Sequence, residues 1–468
     1  MLQREVLFLP ARELGRRLRA GHLSSVELTE SYLERLRTVG AKLNAVVTVC
    51  EDRALAEARA ADRELRAGRA RGPLHGVPYG VKDLLATHDA PTTWGAEPYR
   101  DQRFTFDATA VQRLQAAGAV LVAKLAMVEL AGGLGYDEAD ASFTGPGLTP
   151  WNTAFWSGGS SSGPGAAVAA GCVGFAIGSE TPGSILTPSA FSGVSGLRPT
   201  YGRASRHGAM ALSWTLDKLG PMARTADDCA LILEAIAGAD RADPTAVRRR
   251  FRWTPPVSGR RRWRIAVPAG CTEKVQPAVR DNFEASLRAL GDDVTVEREV
   301  AWPDFPWGPA VGTIVNAEGA AAFLKLIESG EVHKLRCPAD RIGGYAALYG
   351  TAVDYIQALR VRAPMKRALN ALFAKYDVIA TPTRSSVAYP VAKKFRDAYP
   401  DVRSGPAVIP AGNLCGLPAA CVPNGFGDNG LPTSIAFLGP AFEDARVASL
   451  AALHQRRTDW HLRRPPVD

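Results

Sequence analysis

Cysteine is scarce in this chain, seven residues in 468, and the seven (50, 172, 229, 271, 337, 415 and 421) are scattered, odd in number and without a C-x-x-C pair. That pattern excludes a disulfide framework and a thiolate zinc site, and it fits reduced thiols. Histidine is equally sparse, with seven imidazoles dispersed at 22, 75, 88, 207, 333, 454 and 461, so neither a metal centre nor an organic cofactor is expected. Long apolar runs are missing too. The nearest, residues 163–178, is built from Ala, Gly and Val with few large side chains, short of the roughly 18 apolar residues a membrane span needs. The first residues, MLQREVLFLPARELGRRLRAG, set Arg4, Glu5, Arg12 and Glu13 around a short apolar patch. They lack the long apolar core of a signal peptide, so a cytoplasmic location and no membrane partner are expected.

What is present is ordinary for a folded protein: 46% hydrophobic and 22% charged residues exclude a disordered chain. The net charge of +9 is concentrated in residues 248–264, where arginines 248, 249, 250, 252, 260, 261, 262 and 264 occur with no acidic residue. Pro255, Pro256 and Gly259 break that segment. It therefore reads as a solvated connection between a helix ending near Ala237 and a strand at 264–268, and a nucleic-acid partner is not expected.

Apolar spacing along the chain predicts an α/β protein with a central mixed sheet covered by helices. From Ser24 to about Arg69, Leu28, Tyr32, Leu33, Leu36, Leu55, Ala58, Ala61 and Leu65 recur at helical spacing behind a serine N-cap. A Gly/Pro-punctuated stretch, GPLHGVPYGVKDLL at 72–85, reads as short sheet pieces, followed by a helix from Ala108 to Ala117 and the strand AVLVAK. After the arginine-rich connection come a strand RIAVP, a helix near Val279 to Leu290, an extended DDVTVERE and helices from about Ala317 to Tyr376. The segments 376–383, 411–426 and 431–439 read as further sheet, closed by a helix from about Glu443 to Arg457. A single domain over 1–468 is expected. Its parts are an N-terminal helical layer (about 1–70), a core (about 71–240), the connection (about 241–263) and a C-terminal α/β part (about 264–468).

The most unusual stretch is SGGSSSGPGAAVAAGCVGFAIGSETPGSILTPSA, residues 157–190. Serine turns at 160–162 and at 184 are separated by a helix of small residues and a strand. A helix of ~8 residues advances about 12 Å and a return strand of ~5 residues covers about 16 Å, so the two turns can lie side by side. Gly171 is placed to end the helix. Adjacent serines on glycine turns suit nucleophilic acyl transfer, which needs a hydroxyl, a base and backbone amides for the oxyanion. With histidine so dispersed, a buried lysine is the candidate base, and Lys82 sits among apolar residues in GVPYGVKDLL.

These pieces together resemble the amidase signature family of serine hydrolases. The likeness runs through SSVELTESYLERL, LHGVPYGVKD, GGSSSGPGAAVAAG, GSETPGSI, SGLRPTYGRASRHGAM and NLCGLPAACVPNGF. It implies the amidase-signature fold, a catalytic Lys82, a bridging Ser160 in a cis peptide and a nucleophilic Ser184, with a 24-residue step between the serines. It further implies cleavage of an amide, aryl amide or carbamate through an acyl-enzyme, on a small-molecule substrate, by a monomer or homodimer. The sequence departs from the family across the nucleophile. In GSETPGSIL, Glu180 stands for an aspartate, Pro182 for a glycine and Leu186 for an arginine. Proline has no N–H, so the oxyanion hole is expected to rest on the amides of Thr181, Gly183 and Ser184, with Glu180 supporting the turn. Gly132 and Gly133, in a loop that resembles the family's acyl-side wall, are expected to give a roomier pocket, and Ser161 is taken as substrate-binding.

Three other readings compete. G-x-S-x-G at 159–163 matches a nucleophile elbow with Ser161 as nucleophile, but TPWNTAFWS is a poor strand and no later histidine has context. A component of a transamidation complex that works on charged tRNA is a second. A binding protein of this fold, weakened by Pro182, is a third.

Overall fold

A computed structural model describes residues 2–257, 261–402 and 408–467. Ser258, Gly259 and Arg260 of the arginine-rich connection lie outside the described residues. Eleven strands form one sheet: β1 Val46–Val49, β2 Pro78–Lys82, β3 Val120–Leu125, β4 Phe175–Glu180, β5 Ser195–Arg198, β6 Lys218–Ala223, β7 Trp263–Pro268, β8 Val294–Val300, β9 Val378–Pro382, β10 Ala419–Phe426 and β11 Pro432–Leu438. Their order is β1-β3-β2-β4-β6-β5-β10-β11-β9-β7-β8. The sheet is mixed, as expected: β2 runs parallel to β3 and β4, and β7 parallel to β8 and β9, while β4–β6 and β10–β11 are antiparallel.

Both faces are covered. Along β4, Phe175 and Ile177 enter one apolar cluster while Ala176 enters another, the alternation of a strand buried on both sides. Every residue of β2, β3, β4 and β6 is buried. At the N-terminal end, Ser24 caps the helix Ser25–Arg35, its hydroxyl accepting the Glu27 N–H at 3.1 Å.

Two sequence expectations need correction. The N-terminal layer is not purely helical, because β1 interrupts it and pairs antiparallel with β3 at the sheet edge. Four residues are too few for apolar spacing to separate a strand from a helix end. The segment 411–426 is not all sheet: residues Val408–Leu414 form a helix, with Val408, Ala411 and Leu414 buried three residues apart, before β10 begins.

The arginine-rich connection is exposed at Arg248, Arg249, Arg250, Arg252, Arg261, Arg262 and Arg264. Part of its charge is used internally. Arg261 pairs with Asp377 at 2.5 Å and lies 4.4 Å from the centre of the Trp263 ring, and Arg249 lies 4.9 Å from that of Phe442. Among the described residues, no helix is long and apolar enough to cross a membrane.

The helix Ser162–Ala169 and β4 bring the two serine turns together. Gly171, at φ +67°, reverses the chain between them, and the Ser161 N–H donates to the Ser184 carbonyl at 3.3 Å.

Candidate active site

Lys82 ends β2, fully buried, and the parallel pairing of β2 with β4 sets its ammonium beside the end of β4. Its Nζ lies 2.7 Å from Ser160 Oγ and 2.9 Å from Ser179 Oγ. The carboxylate next to it in sequence is engaged elsewhere: Asp83 pairs with Lys124 at 2.9 Å and accepts the Thr93 N–H. Burial pushes the Lys82 ammonium down to about 7, against the opposing pull of Asp217 and Glu180. A lysine in that state is neutral often enough near neutral pH to accept a proton. The Gly159–Ser160 peptide is cis. The Ser160 carbonyl accepts the Val128 N–H at 3.1 Å.

The turn after β4 carries Ser184, 6% exposed. No side-chain hydrogen bond joins Ser184 to Ser160 among the described residues, whereas the Lys82–Ser160 contact is formed. The N–H groups of Thr181, Gly183 and Ser184 likewise make no hydrogen bond to a described residue. Gly183 has φ +89°, a conformation an L-residue rarely adopts. The Thr181 hydroxyl donates to Asp217 at 2.6 Å, tying the turn to the start of β6.

Glu180 is the anchor of this turn. One oxygen accepts from Arg198 at 2.9 Å and Asn413 at 2.8 Å, and the other accepts the N–H groups of Ile185 and Leu186 at 2.9 and 3.0 Å. Burial raises its pKa, but the Arg198 and Lys218 charges together with these bonds win, so its carboxyl is held below its usual range. The basic partner of Glu180 is thus Arg198 from β5. Substituting Glu180 by Ala is expected to destabilise the protein by about 3–5 kcal/mol, since Arg198 would stay buried without its partner. Chemical unfolding of the variant measures this, and a loss below about 1 kcal/mol would contradict an anchoring role.

The family model described as Amidase matches residues 27–448. The chain belongs to the amidase signature family. Among its relatives, a Glutamyl-tRNA(Gln) amidotransferase subunit of Chloroflexus aggregans is 36% identical over 477 residues, covering 96% of each chain. The native peptide amidase of Stenotrophomonas maltophilia superposes with a TM-score of 0.83 at 30% identity, covering 98% of both chains. The corresponding Glutamyl-tRNA(Gln) amidotransferase subunit of Thermotoga maritima superposes with a TM-score of 0.79 at 29% identity, covering 97% of this chain and 96% of that one. Membership supports a hydrolase of carbon–nitrogen bonds on the expected fold.

In this member of the amidase family, the three residues expected to bind substrate pack closely against their neighbours. Ser161 is fully buried, its hydroxyl donating to the Ser179 carbonyl at 3.2 Å and accepting the Ser179 N–H at 3.3 Å. Its hydroxyl is thus engaged with the backbone of β4. Gly132 and Gly133 do not widen a pocket. A Cβ on Gly132 would meet the Tyr136 ring at 2.2 Å, and one on Gly133 would meet Leu212 Cδ1 at 2.2 Å, so neighbouring side chains already fill that space. Sequence reading missed Ser179, Arg198, Asp217 and Asn413. Ser179 lies in the same serine-rich segment and could have been found there; the others come from β5, the loop before β6 and a helix far along the chain.

A cleft of about 180 Å³ opens beside the turn, lined by Ser179 and Thr181 at one side and by Leu84, Ala131, Met210, Leu212, Trp214 and Leu219. Its charged residues are committed to internal bonds. Asp217 accepts from Thr181 and from the Leu212 and Ser213 N–H groups, Asp243 accepts from Thr245 and the Arg206 N–H, and Arg206 bonds the Trp214 carbonyl, Tyr201 and Thr245. Elsewhere, His88, Asp89 and Asp107 bring possible metal-ligating atoms within 4.8 Å of one another, but Arg53 already pairs with both aspartates.

Proposed function

We propose that this chain hydrolyses an amide or carbamate bond through an acyl-enzyme on Ser184. The buried contact between Lys82 and Ser160 at 2.7 Å carries the reading. Neutral Lys82 takes the Ser160 proton as Ser160 takes that of Ser184, and the Ser184 oxygen bonds to the substrate carbonyl carbon. The carbonyl π-electrons move onto oxygen, which the N–H groups of Thr181, Gly183 and Ser184 receive; their lack of protein partners supports that role. The tetrahedral adduct collapses with cleavage of the C–N bond, and the relay returns the proton to the departing nitrogen. Water then repeats the sequence on the acyl-enzyme and releases the acid and Ser184.

The acyl side is read as uncharged. Every charged side chain of the cleft is internally bonded, while Leu84, Met210, Leu212, Trp214 and Leu219 offer apolar surface. A free amino acid such as glutamine would bring two charges against this mostly apolar wall. A second reading is an amidotransferase component, supported by the 36% identity to the Chloroflexus aggregans protein.

Fluorophosphonate treatment with peptide mapping, run beside a panel of an apolar anilide, an apolar primary amide, a carbamate and L-glutamine, tests both. Labelling at Ser184 with turnover of an apolar member and none of glutamine is expected. Preferential glutamine hydrolysis would favour the amidotransferase reading. A folded protein that is neither labelled nor active on any member would overturn the hydrolase.

A further inference from the structure

The loop that holds Ser160 is itself held by two carboxyl groups. Val128 donates its N–H to the Ser160 carbonyl at 3.1 Å, and the next residue, Glu129, donates its own to the Ala141 carbonyl at 2.8 Å. The Glu129 side chain is fully buried, and its two oxygens accept the N–H groups of Arg336 and Cys337, each at 2.8 Å. Those amides precede the helix Pro338–Ala347. Leu130 and Ala131, at φ +49° and +57°, sit where side-chain-bearing residues are rarely found, so this loop needs firm anchors. Ala131 also lines the cleft.

Asp340, in the first turn of that helix, is 1% exposed. It stands three residues beyond Cys337, about one helical turn, so the helix start that the Glu129 carboxylate grips through the Arg336 and Cys337 N–H groups brings a second buried carboxyl to the same place. Neither Asp340 oxygen meets a full hydrogen bond from a donor among the described residues. Two buried carboxylates this close cannot both ionise without severe repulsion, whereas one proton between them makes a hydrogen bond.

We propose that Glu129 and Asp340 share one proton, and that this acid pair positions the Val128 amide against Ser160. The proposal rests on the role given above to Ser160. Neither residue touches the reacting atoms; both act through the loop. The surroundings favour this arrangement. Burial raises both groups, and Asp340 is raised well above the carboxylate range with Glu129 and Asp137 adding to the effect. Arg341 and the two backbone N–H groups favour charge on Glu129 instead. The proton therefore resides on Asp340, which donates to the Glu129 carboxylate. Cys337 and Tyr136, the other titratable neighbours, are both raised by burial and stay neutral. Loss of the proton at high pH sets two negative charges against each other, and the helix start and the loop part.

The test compares wild type with Asp340→Asn and Asp340→Ala in three measurements: turnover against pH, fluorophosphonate labelling rate of Ser184, and thermal unfolding against pH. Wild type is expected to lose turnover and labelling rate on the alkaline side and to unfold at lower temperature as pH rises through the pair's titration. In Asp340→Asn a neutral donor remains at all pH, so near-normal turnover with a flattened alkaline limb and a flattened unfolding profile is expected. Asp340→Ala removes the bond, and kcat is expected to fall by about 10²-fold with KM less affected. If Asp340→Asn leaves both profiles as in wild type, no proton is shared. If only the unfolding profile flattens, the pair does not position Ser160. If Ser184 is unlabelled in every protein, the hydrolase reading itself fails, and the unfolding arm still decides the shared proton.

Discussion

Changing Ser184 to Ala is expected to abolish fluorophosphonate labelling and to lower kcat by about 10⁴-fold or more, while the protein folds as before. The size follows from the division of labour in the site. In the proposed mechanism no acyl-enzyme forms without the Ser184 oxygen, and only the amides of the turn and the cleft remain to favour attack by water. In the proposed relay, Lys82 and Ser160 then have nothing to deprotonate. Stability should change little, within about 0.5 kcal/mol, because the Ser184 hydroxyl makes no side-chain bond among the described residues and the backbone carbonyl that receives Ser161 is retained. A Ser184→Ala protein that turns over its best substrate within tenfold of wild type would place the nucleophile elsewhere. The assay pairs initial rates on that substrate with an unfolding curve, so loss of activity is not confused with loss of fold.

Lys82 governs a second large effect, and its sign differs between activity and stability. With the neutral amine as the proposed base, kcat/KM is expected to rise with pH and to level off above about 7, where the buried ammonium has lost its proton. Below that point one required deprotonation gives a fall of about tenfold per pH unit. Lys82→Met, similar in volume and uncharged, should cost about 10²- to 10⁴-fold in kcat and erase this acid limb. Stability moves the other way. The folded protein binds the Lys82 proton less tightly than the unfolded chain, so this group makes wild type gain stability as pH rises from about 7 toward the ordinary lysine value. Lys82→Met should therefore be more stable than wild type near and below neutral pH, by a few kcal/mol at most, on the order of one buried charge. Lys218, also buried and also pushed down to about 7, is the control, since it lies behind the turn and near Arg198 and Glu180. Lys218→Met should leave the acid limb in place; if it removes that limb and Lys82→Met does not, Lys82 is not the base.

These effects show how site and framework divide. The Lys82–Ser160 pair is legible in the chain because each half sits in a short, unusual string: a lysine among apolar residues in GVPYGVKDLL, and serines between glycines in SGGSSSGPG. The approach of the turns around Ser160 and Ser184 was legible as well, from the lengths of one helix and one strand, and the Ser161 N–H to Ser184 carbonyl bond realises it. Glycines misled. At Gly132 and Gly133 the absence of a side chain reads as open space, yet Tyr136 and Leu212 fill it, because a glycine is as often the place where another side chain packs closely. At Ser161 three serines in a row look equivalent, but only the fold decides which hydroxyl points to a strand backbone.

Local sequence determined the class of fold, the strands buried on both faces, the two serine turns and the candidate base, since each depends on residue spacing within one or two elements. Tertiary structure alone decided what holds that machinery. Arg198 on β5 and Asn413, far along the chain, meet Glu180 only because the order β4-β6-β5-β10 brings them to one place. Glu129 reaches the start of the helix that carries Asp340, 211 positions along the chain, because a loop and a helix start share a buried wall. Spacing along a chain reports what lies on one face of one element. Charge partners across a core are chosen by packing, and burial makes each such partner necessary.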